Sequence, residues 1–352
     1  MSTEAGYDLE YRSFSLSLAE PLETAGGTID SRDGFLVRVS REDGAVGYGE
    51  ATPLPGWTES LADCEAALER ARSTLDSGTE DDVLEAVDEA VAARYGVSLA
   101  LADLEASSES TPLYRYYSPD TLVARVPVNA TVGDGSTEET VAAARDAVER
   151  GFSCCKLKVG RRSVEADVER MRRVREAVGP EIELRADANG AWDYEEALEA
   201  VEAFDDLDVS LVEQPLPAGA LEGHADLRGR GVGIGLDEGL LEHGVDAICE
   251  ARAADVVVLK PMALGGLDIA QQVATWVAQL GMTPLVTTTI DGVVARAGAV
   301  HLAASLPDPP ACGLATGDLL AEDLGRDPVL FENGAAVVPQ AKGLGVEGVW
   351  EA

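Results

Sequence analysis

The sequence predicts an α/β protein: a (β/α)8-type barrel of modified TIM form, preceded by an α+β capping domain. Two observations carry this. From Val126 onward a short apolar run ending in a polar residue, then a Gly or Pro, then a charged amphipathic stretch, recurs eight times. In addition, the polar residues fall at the C-terminal end of nearly every run, where a barrel gathers its chemistry. The runs are Val126 to Ala130, Cys154 to Val159, Ile182 to Asp187, Val209 to Glu213, Val232 to Asp237, Asp255 to Lys260, Pro284 to Thr289 and Ala311 to Thr316. Their polar ends from Lys158 to Lys260 are 29, 26, 24 and 23 residues apart, the length of a strand, a helix and two loops. Continuous apolar strands alternating with helices are buried on both faces, and eight of them favour closure over an open doubly wound sheet.

Before the repeat the pattern differs. Leu9 to Leu18, Phe35 to Ser40 and Val46 to Glu50 read as antiparallel strands joined by turns such as Glu42-Asp43-Gly44. Ser60 to Leu75, Asp82 to Arg94 and Ser98 to Glu105 carry apolar residues at helical spacing. The expected division is a capping domain over residues 1–122, a barrel over 123–319, and a Gly-rich tail, 320–352, that folds back to complete the cap. The loops Pro21 to Thr28, with Gly26-Gly27 as a hinge, and Pro53 to Trp57 are expected to cover the mouth and exclude water.

The chain has 352 residues, 64 acidic and 27 basic, for a net charge of −37. A surface of that sign repels nucleic acid and anionic membranes. Only Lys156, Lys158, Lys260 and Lys342 are lysines, and the other basic residues are arginines. An acidic, lysine-poor composition suits high salt, where self-repulsion is screened, so a halophilic source is expected. Five scattered cysteines without a Cys-x-x-Cys, no leader-like N-terminus and no apolar run of membrane length together predict a cytoplasmic protein. Homo-oligomerisation is left open.

The strand ends would bring Lys156, Lys158, Asp187, Asn189, Glu213, Asp237, Glu238 and Lys260 to one mouth. Asp187, Glu213 and Asp237 close three consecutive apolar runs, where an unpaired carboxylate is costly. Three hard oxygens leave the other positions of an octahedron to water and a small carboxylate substrate, which suits Mg²⁺ and tolerates Mn²⁺. Zinc is disfavoured: His224, His243 and His301 lie in helical or loop stretches and read as packing or surface residues. Three of the four lysines sit at strand ends. Arginine cannot act as a base whereas lysine can, so Lys158 is the candidate base, with Lys156 on the same strand face and Lys260 opposite. Arg185, two residues before Asp187, is a candidate anion contact.

Lys156-Leu-Lys158, Asp187-Ala-Asn189, Glu213-Gln214-Pro215, Asp237-Glu238 and Lys260-Pro261, in this order, resemble the muconate lactonizing subgroup of the enolase superfamily. The likeness spans nearly the whole chain, because Gly49 to Gly56 and Ala100 to Glu105 resemble that family's capping loop and helix. Within the subgroup, the Gly49 to Gly56 loop, Gly265-Gly266 and the stretch from Gly313-Leu314-Ala315-Thr316 to Asp323 look most like the o-succinylbenzoate synthases of menaquinone biosynthesis. The resemblance implies a Mg²⁺-dependent lyase in which Lys158 abstracts an α-proton and then helps a hydroxyl leave as water, while Lys260 stabilises the enediolate. Asp187, Glu213 and Asp237 would be the metal ligands, Glu238 their outer support, and Asn189, Thr288, Thr289, Gly265 and Gly266 substrate contacts beside Arg185. The substrate would be 2-succinyl-6-hydroxy-2,4-cyclohexadiene-1-carboxylate. Asp291-Gly292 stands where that family more often has Glu-Ser. Lysines on two faces also suit an N-acylamino acid racemase or dipeptide epimerase, although the epimerases tend to carry an Asp-x-Asp on strand eight, and muconate-type cycloisomerisation is a further alternative. A metal-binding relative without catalysis fits the retained lysines poorly, and a Schiff-base aldolase would not need three carboxylates.

Overall fold

The computed structural model describes residues 6–24, 27–75 and 79–351, so Ala25 and Gly26 of the expected hinge segment lie outside the described residues. Strands β1 (Tyr7–Thr24) and β2 (Gly27–Arg41) form one long antiparallel ribbon, and β3 (Val46–Ala51) pairs with β2. Alternation buries Leu9, Phe35, Val37 and Val39 on the helix side, while Leu16 on the other face packs with Leu18 and Leu320. Gly44, at φ +89°, makes the turn after Arg41 that leads into β3.

Four helices follow: α1 (Leu61–Leu75), α2 (Glu80–Val87), α3 (Val91–Ser108) and α4 (Leu113–Tyr117). The helix break falls between Val87 and Val91, where the sequence placed it near Gly96. Gly96 instead lies inside α3, against β3. A Cβ on Gly49 would stand 1.8 Å from the Gly96 carbonyl, and one on Gly47 would stand 2.1 Å from that of Ala100. Glycine here permits close helix-on-sheet contact and does not end the helix.

Strand β4 (Arg125–Pro127) then opens the second half, where strands and helices alternate: β5 (Ala130–Val132), α5 (Thr137–Glu149), β6 (Cys154–Lys158), α6 (Val164–Val178), β7 (Glu183–Asp187), α7 (Tyr194–Asp205), β8 (Val209–Glu213), α8 (Leu221–Leu227), β9 (Gly233–Leu236), α9 (Glu238–Ala251), β10 (Val256–Leu259), α10 (Pro261–Leu264), α11 (Leu267–Gln279), β11 (Thr283–Val286) and α12 (Val293–Ser305). β5 to β11 form one parallel sheet in sequence order, curled as a capped TIM-type barrel. Helix starts are written locally: Ser136 with Glu139, and Asp193 with Glu196, close reciprocal capping boxes. Leu211, Val258 and Leu285 fill the barrel interior.

The eighth run is not a regular strand. Among the described residues two isolated bridges, Val128 to Cys312 and Thr287 to Gly313, close the gap between the first and last strands. The Thr287 hydroxyl donates to the Gly313 carbonyl at 2.9 Å, diverting an acceptor from the ladder, and a Cβ on Gly313 would meet that hydroxyl at 2.4 Å. The first run also splits. Its β4 half pairs with the hairpin of β12 (Leu330–Glu332) and β13 (Ala335–Val337), and only its β5 half enters the barrel.

The tail reaches both parts of the molecule. Leu320 bridges Leu18, the Val349 carbonyl accepts from Arg12 at 2.8 Å, and the Leu344 amide donates to Asp103. No described helix is long and apolar enough to cross a membrane.

Candidate active site

Parallel register does most of the assembly. Lys158, Asp187 and Glu213 are Cα partners across β6, β7 and β8, and Glu213 faces Gly235, two residues before Asp237. Neighbouring strands lie about 4.8 Å apart, so side chains that share the inner face at one level must meet. Lys156 Nζ bridges Glu213 Oε1 at 2.9 Å and Asp187 Oδ2 at 3.0 Å. Lys158 Nζ lies 2.7 Å from Asp187 Oδ2 and 2.7 Å from Asn189 Oδ1. Across the mouth, Lys260 Nζ lies 2.6 Å from Asp237 Oδ2 and 3.5 Å from the centre of the Trp57 ring, which the capping domain supplies. Six candidates from five strand ends thus come together as two ion-paired groups, Lys156 and Lys158 with Asp187 and Glu213, and Lys260 with Asp237.

Backbone conformation aims them. Asn189 and Gln214, just past β7 and β8, adopt left-handed φ of 44° and 42°, a cost of about 1–3 kcal/mol each that surrounding contacts must outweigh. Sequence reasoning gave Gln214 no role. The structure buries it fully, with Oε1 accepting from the amides of Asp237 and Gly239 at 3.0 Å and Nε2 donating to the Leu216 carbonyl at 2.9 Å. It ties the end of β8 to the turn that presents Asp237. Nothing in a single Glu-Gln-Pro signals this.

The carboxylates do not titrate alike. Burial pushes Asp187 up, but the ammoniums of Lys156 and Lys158 outweigh it and hold the group well below the carboxylate range. Burial and then the Asp187 charge push Glu213 up to about 7. Burial also raises Asp237, against the pull of Lys260. For Lys156 the two carboxylates outweigh burial and raise it.

Among the described residues no three His, Cys, Asp or Glu side chains converge as a metal site. The ammoniums of Lys156 and Lys260 stand against the candidate ligands instead. The donor set nevertheless fits a hard cation, because Glu213 Oε2 and Asp237 Oδ1 are buried without a hydrogen-bond partner, as is Glu238 Oε2 beside them. A buried carboxylate oxygen left without a donor is what a bound divalent ion would satisfy.

Several expected substrate contacts have partners within the protein. Arg185 is buried one layer below the mouth, donating to Glu183 at 2.7 Å and to the Ala311 carbonyl at 2.7 Å. It secures the irregular eighth segment. Gly265 and Gly266 face the capping domain: the Gly265 carbonyl accepts from Arg94 at 2.7 Å, and a Cβ on Gly266 would meet Asp268 and Arg94. The Thr288 hydroxyl pairs with that of Thr316 at 3.0 Å, and the Thr289 hydroxyl donates to Asp291. Asn189 remains at the mouth, donating from Nδ2 to Glu238 at 3.4 Å. His224 and His301 are packing residues, both fully buried.

Two further residues fasten the cap to the mouth. Glu50 accepts from the amides of Gly292 and Ala295 at the start of α12. Arg32 donates to the carbonyls of Thr52, Pro53 and Ile290, the last at a left-handed φ of 62°.

Residues 139–352 match the enolase C-terminal domain-like family, and residues 10–104 match the MenC N-terminal domain family. The chain is 29% identical to the L-Ala-D/L-Glu epimerase of Clostridium acetobutylicum over 97% of its length and 98% of that protein's. It is 39% identical to the o-succinylbenzoate synthase of Thermobifida fusca, over 60% of this chain and 66% of that one. It superposes with a TM-score of 0.85 and 28% identity on the dipeptide epimerase of Enterococcus faecalis complexed with Mg and the dipeptide L-Leu-L-Tyr, covering 96% of this chain and 98% of the other. With a family match over more than half its residues and this barrel, the chain belongs to the enolase superfamily.

Proposed function

We propose that this chain is a Mg²⁺-dependent o-succinylbenzoate synthase, a lyase that dehydrates 2-succinyl-6-hydroxy-2,4-cyclohexadiene-1-carboxylate. The observation that carries the reading is the pair of lysine sets on either side of three strand-end carboxylates, of which Glu213 and Asp237 each keep one buried oxygen without a partner. Asp187, Glu213 and Asp237 would hold the metal, which supplies positive charge against a substrate carboxylate. Lys158 is the least buried of the three mouth lysines, at 36% side-chain exposure, and is the group placed to take the α-proton. Lys260, fixed between Asp237 and Trp57, presents a positive charge to the opposite face, where negative charge develops on the ring. Lys158, now carrying the proton, returns it to the departing hydroxyl, so that water leaves and the ring becomes aromatic. Trp57 closes the capping-domain side and excludes water.

Synthase is preferred over epimerase because the strand-eight segment brings no carboxylate inward. Asp318, the only acid there, has its side chain 94% exposed. The second reading, epimerisation of a dipeptide or racemisation of an N-acylamino acid, is favoured by the epimerase relative that matches 97% of this chain. Incubation in deuterated water with Mg²⁺ separates the two. The synthase reading expects an aromatic product from the cyclohexadiene carboxylate. Exchange of the α-hydrogen of dipeptides or N-succinylamino acids, with no dehydration, would replace it by the second reading.

A further inference from the structure

We propose that Asp167 and Arg170, an ion pair buried on α6, are positioning residues that fix the backbone of Lys158 and so the place its amine can reach. Three residues apart, they share one face of the helix. Their charged groups meet at 3.0 Å, with side chains 0% and 1% exposed. Withdrawing both charges from water is costly, and an apolar pair of similar size would pack α6 on the barrel as well or better. Their remaining bonds land on the turn that carries the candidate base.

The pair grips both ends of the tripeptide Lys158-Val159-Gly160. Arg170 Nη2 donates to the Lys158 carbonyl, and the Gly160 amide donates to Asp167 Oδ2 at 2.7 Å. Between them the Val159 amide donates to the Asp187 carbonyl at 2.9 Å, so each of the three residues is held by its own bond. Gly160 takes a left-handed φ of 89°, and a Cβ there would stand 2.7 Å from that of Ala191. Arg170 Nη1 also donates to Asp134 at 3.2 Å, tying the loop after β5 to the same anchor. The Lys158 side chain, by contrast, is 36% exposed, and its ammonium is held by Asp187 and Asn189. An amine that must leave those partners for a substrate needs a backbone that stays in place, because a displacement of about 1 Å can cost about 100-fold in rate. The inference rests on Lys158 being the base, a role that the dehydration and epimerisation readings share.

The double variant Asp167→Leu/Arg170→Met tests it, because both charges go together and neither is left without the other. Its melting temperature should stay near that of wild type, while kcat, followed as dehydration or as α-hydrogen exchange in deuterated water, falls about 30- to 100-fold with KM and Mg²⁺ affinity within about threefold. Arg170→Lys, which keeps the charge but not the two-armed reach, should recover part of the loss. A second readout needs no substrate. With four lysines in the chain, brief acetic anhydride labelling read by peptide mass spectrometry compares Lys158 with Lys342, and the double variant should change the rate at Lys158 alone. A wild-type chain that catalyses neither reaction defeats the assignment of the base, and the labelling ratio then still decides whether the pair positions Lys158. Wild-type kcat and labelling in a folded double variant overturn the proposal, as does a loss of kcat that only follows a lowered melting temperature. Should the double variant not fold, Asp167→Asn, which removes one charge but keeps an acceptor for the Gly160 amide, carries the same comparison with the same two outcomes.

Discussion

Lysine is so scarce in this chain that each one at the mouth stands out. Replacing Lys158 by arginine keeps the charge beside Asp187 but removes a group that can exist unprotonated. Lys158→Arg and Lys158→Ala are therefore both expected to lose about 10³-fold or more in turnover, while calorimetric Mg²⁺ affinity stays within a few-fold. Activity retained in either variant would remove Lys158 as the base. Gln214 acts through Asp237, whose amide it anchors, so Gln214→Leu should weaken Mg²⁺ binding by about 10- to 100-fold before it affects the pH profile. Unaltered metal affinity would reduce Gln214 to a packing residue. The mouth lysines and carboxylates were legible in the sequence because an apolar run fixes which residue ends a buried strand. The partners of Arg185, Thr288 and Thr289 were not, because local spacing places a side chain on a face without saying which neighbour takes its hydrogen bonds. Glu183, Thr316 and Asp291 take them here.

At the scale of elements, the seven regular strands and most helices follow from periodicity and capping, whereas the exceptions follow from contacts distant in sequence. Residues 95–97 read as a break between two helices until Gly96 is packed against β3, and the eighth run reads as a strand until Thr287 claims the Gly313 carbonyl. The cap-to-barrel contact was hidden for the same reason: Glu50 meets the start of α12 across 242 residues. Burial, and then Asp291, push Glu50 up to about 7, and burial pushes Asp103 up to about 6. A carboxyl whose folded pKa lies above its unfolded one stabilises the fold most below the unfolded value and loses that contribution as pH rises through the folded value. Both groups therefore work against stability as pH climbs from about 4 to about 7. Urea unfolding of Glu50→Gln and wild type, compared across that window at fixed KCl, should shift in favour of the variant as pH rises. A constant difference would show that Glu50 is not the group titrating.

For the whole molecule the charge dominates. At −37 the folded chain repels itself, and about 1 M salt shortens the screening length to about 3 Å. The melting temperature should thus rise between about 0.1 M and 1 M KCl, and a salt-independent value would contradict the halophilic reading of the composition. The capped barrel itself was legible because eight repeats of one pattern leave few other ways to bury the strands. The central claim, that the mouth is a divalent-cation site set between opposed lysines, is tested most directly by anomalous diffraction from a crystal grown with Mn²⁺. A single strong peak is expected at about 2.0–2.2 Å from oxygens of Asp187, Glu213 and Asp237, taking up Glu213 Oε2 and Asp237 Oδ1, which are now without partners. A peak elsewhere on the acidic surface, with Lys156 and Lys260 still bound to those carboxylates, would contradict it.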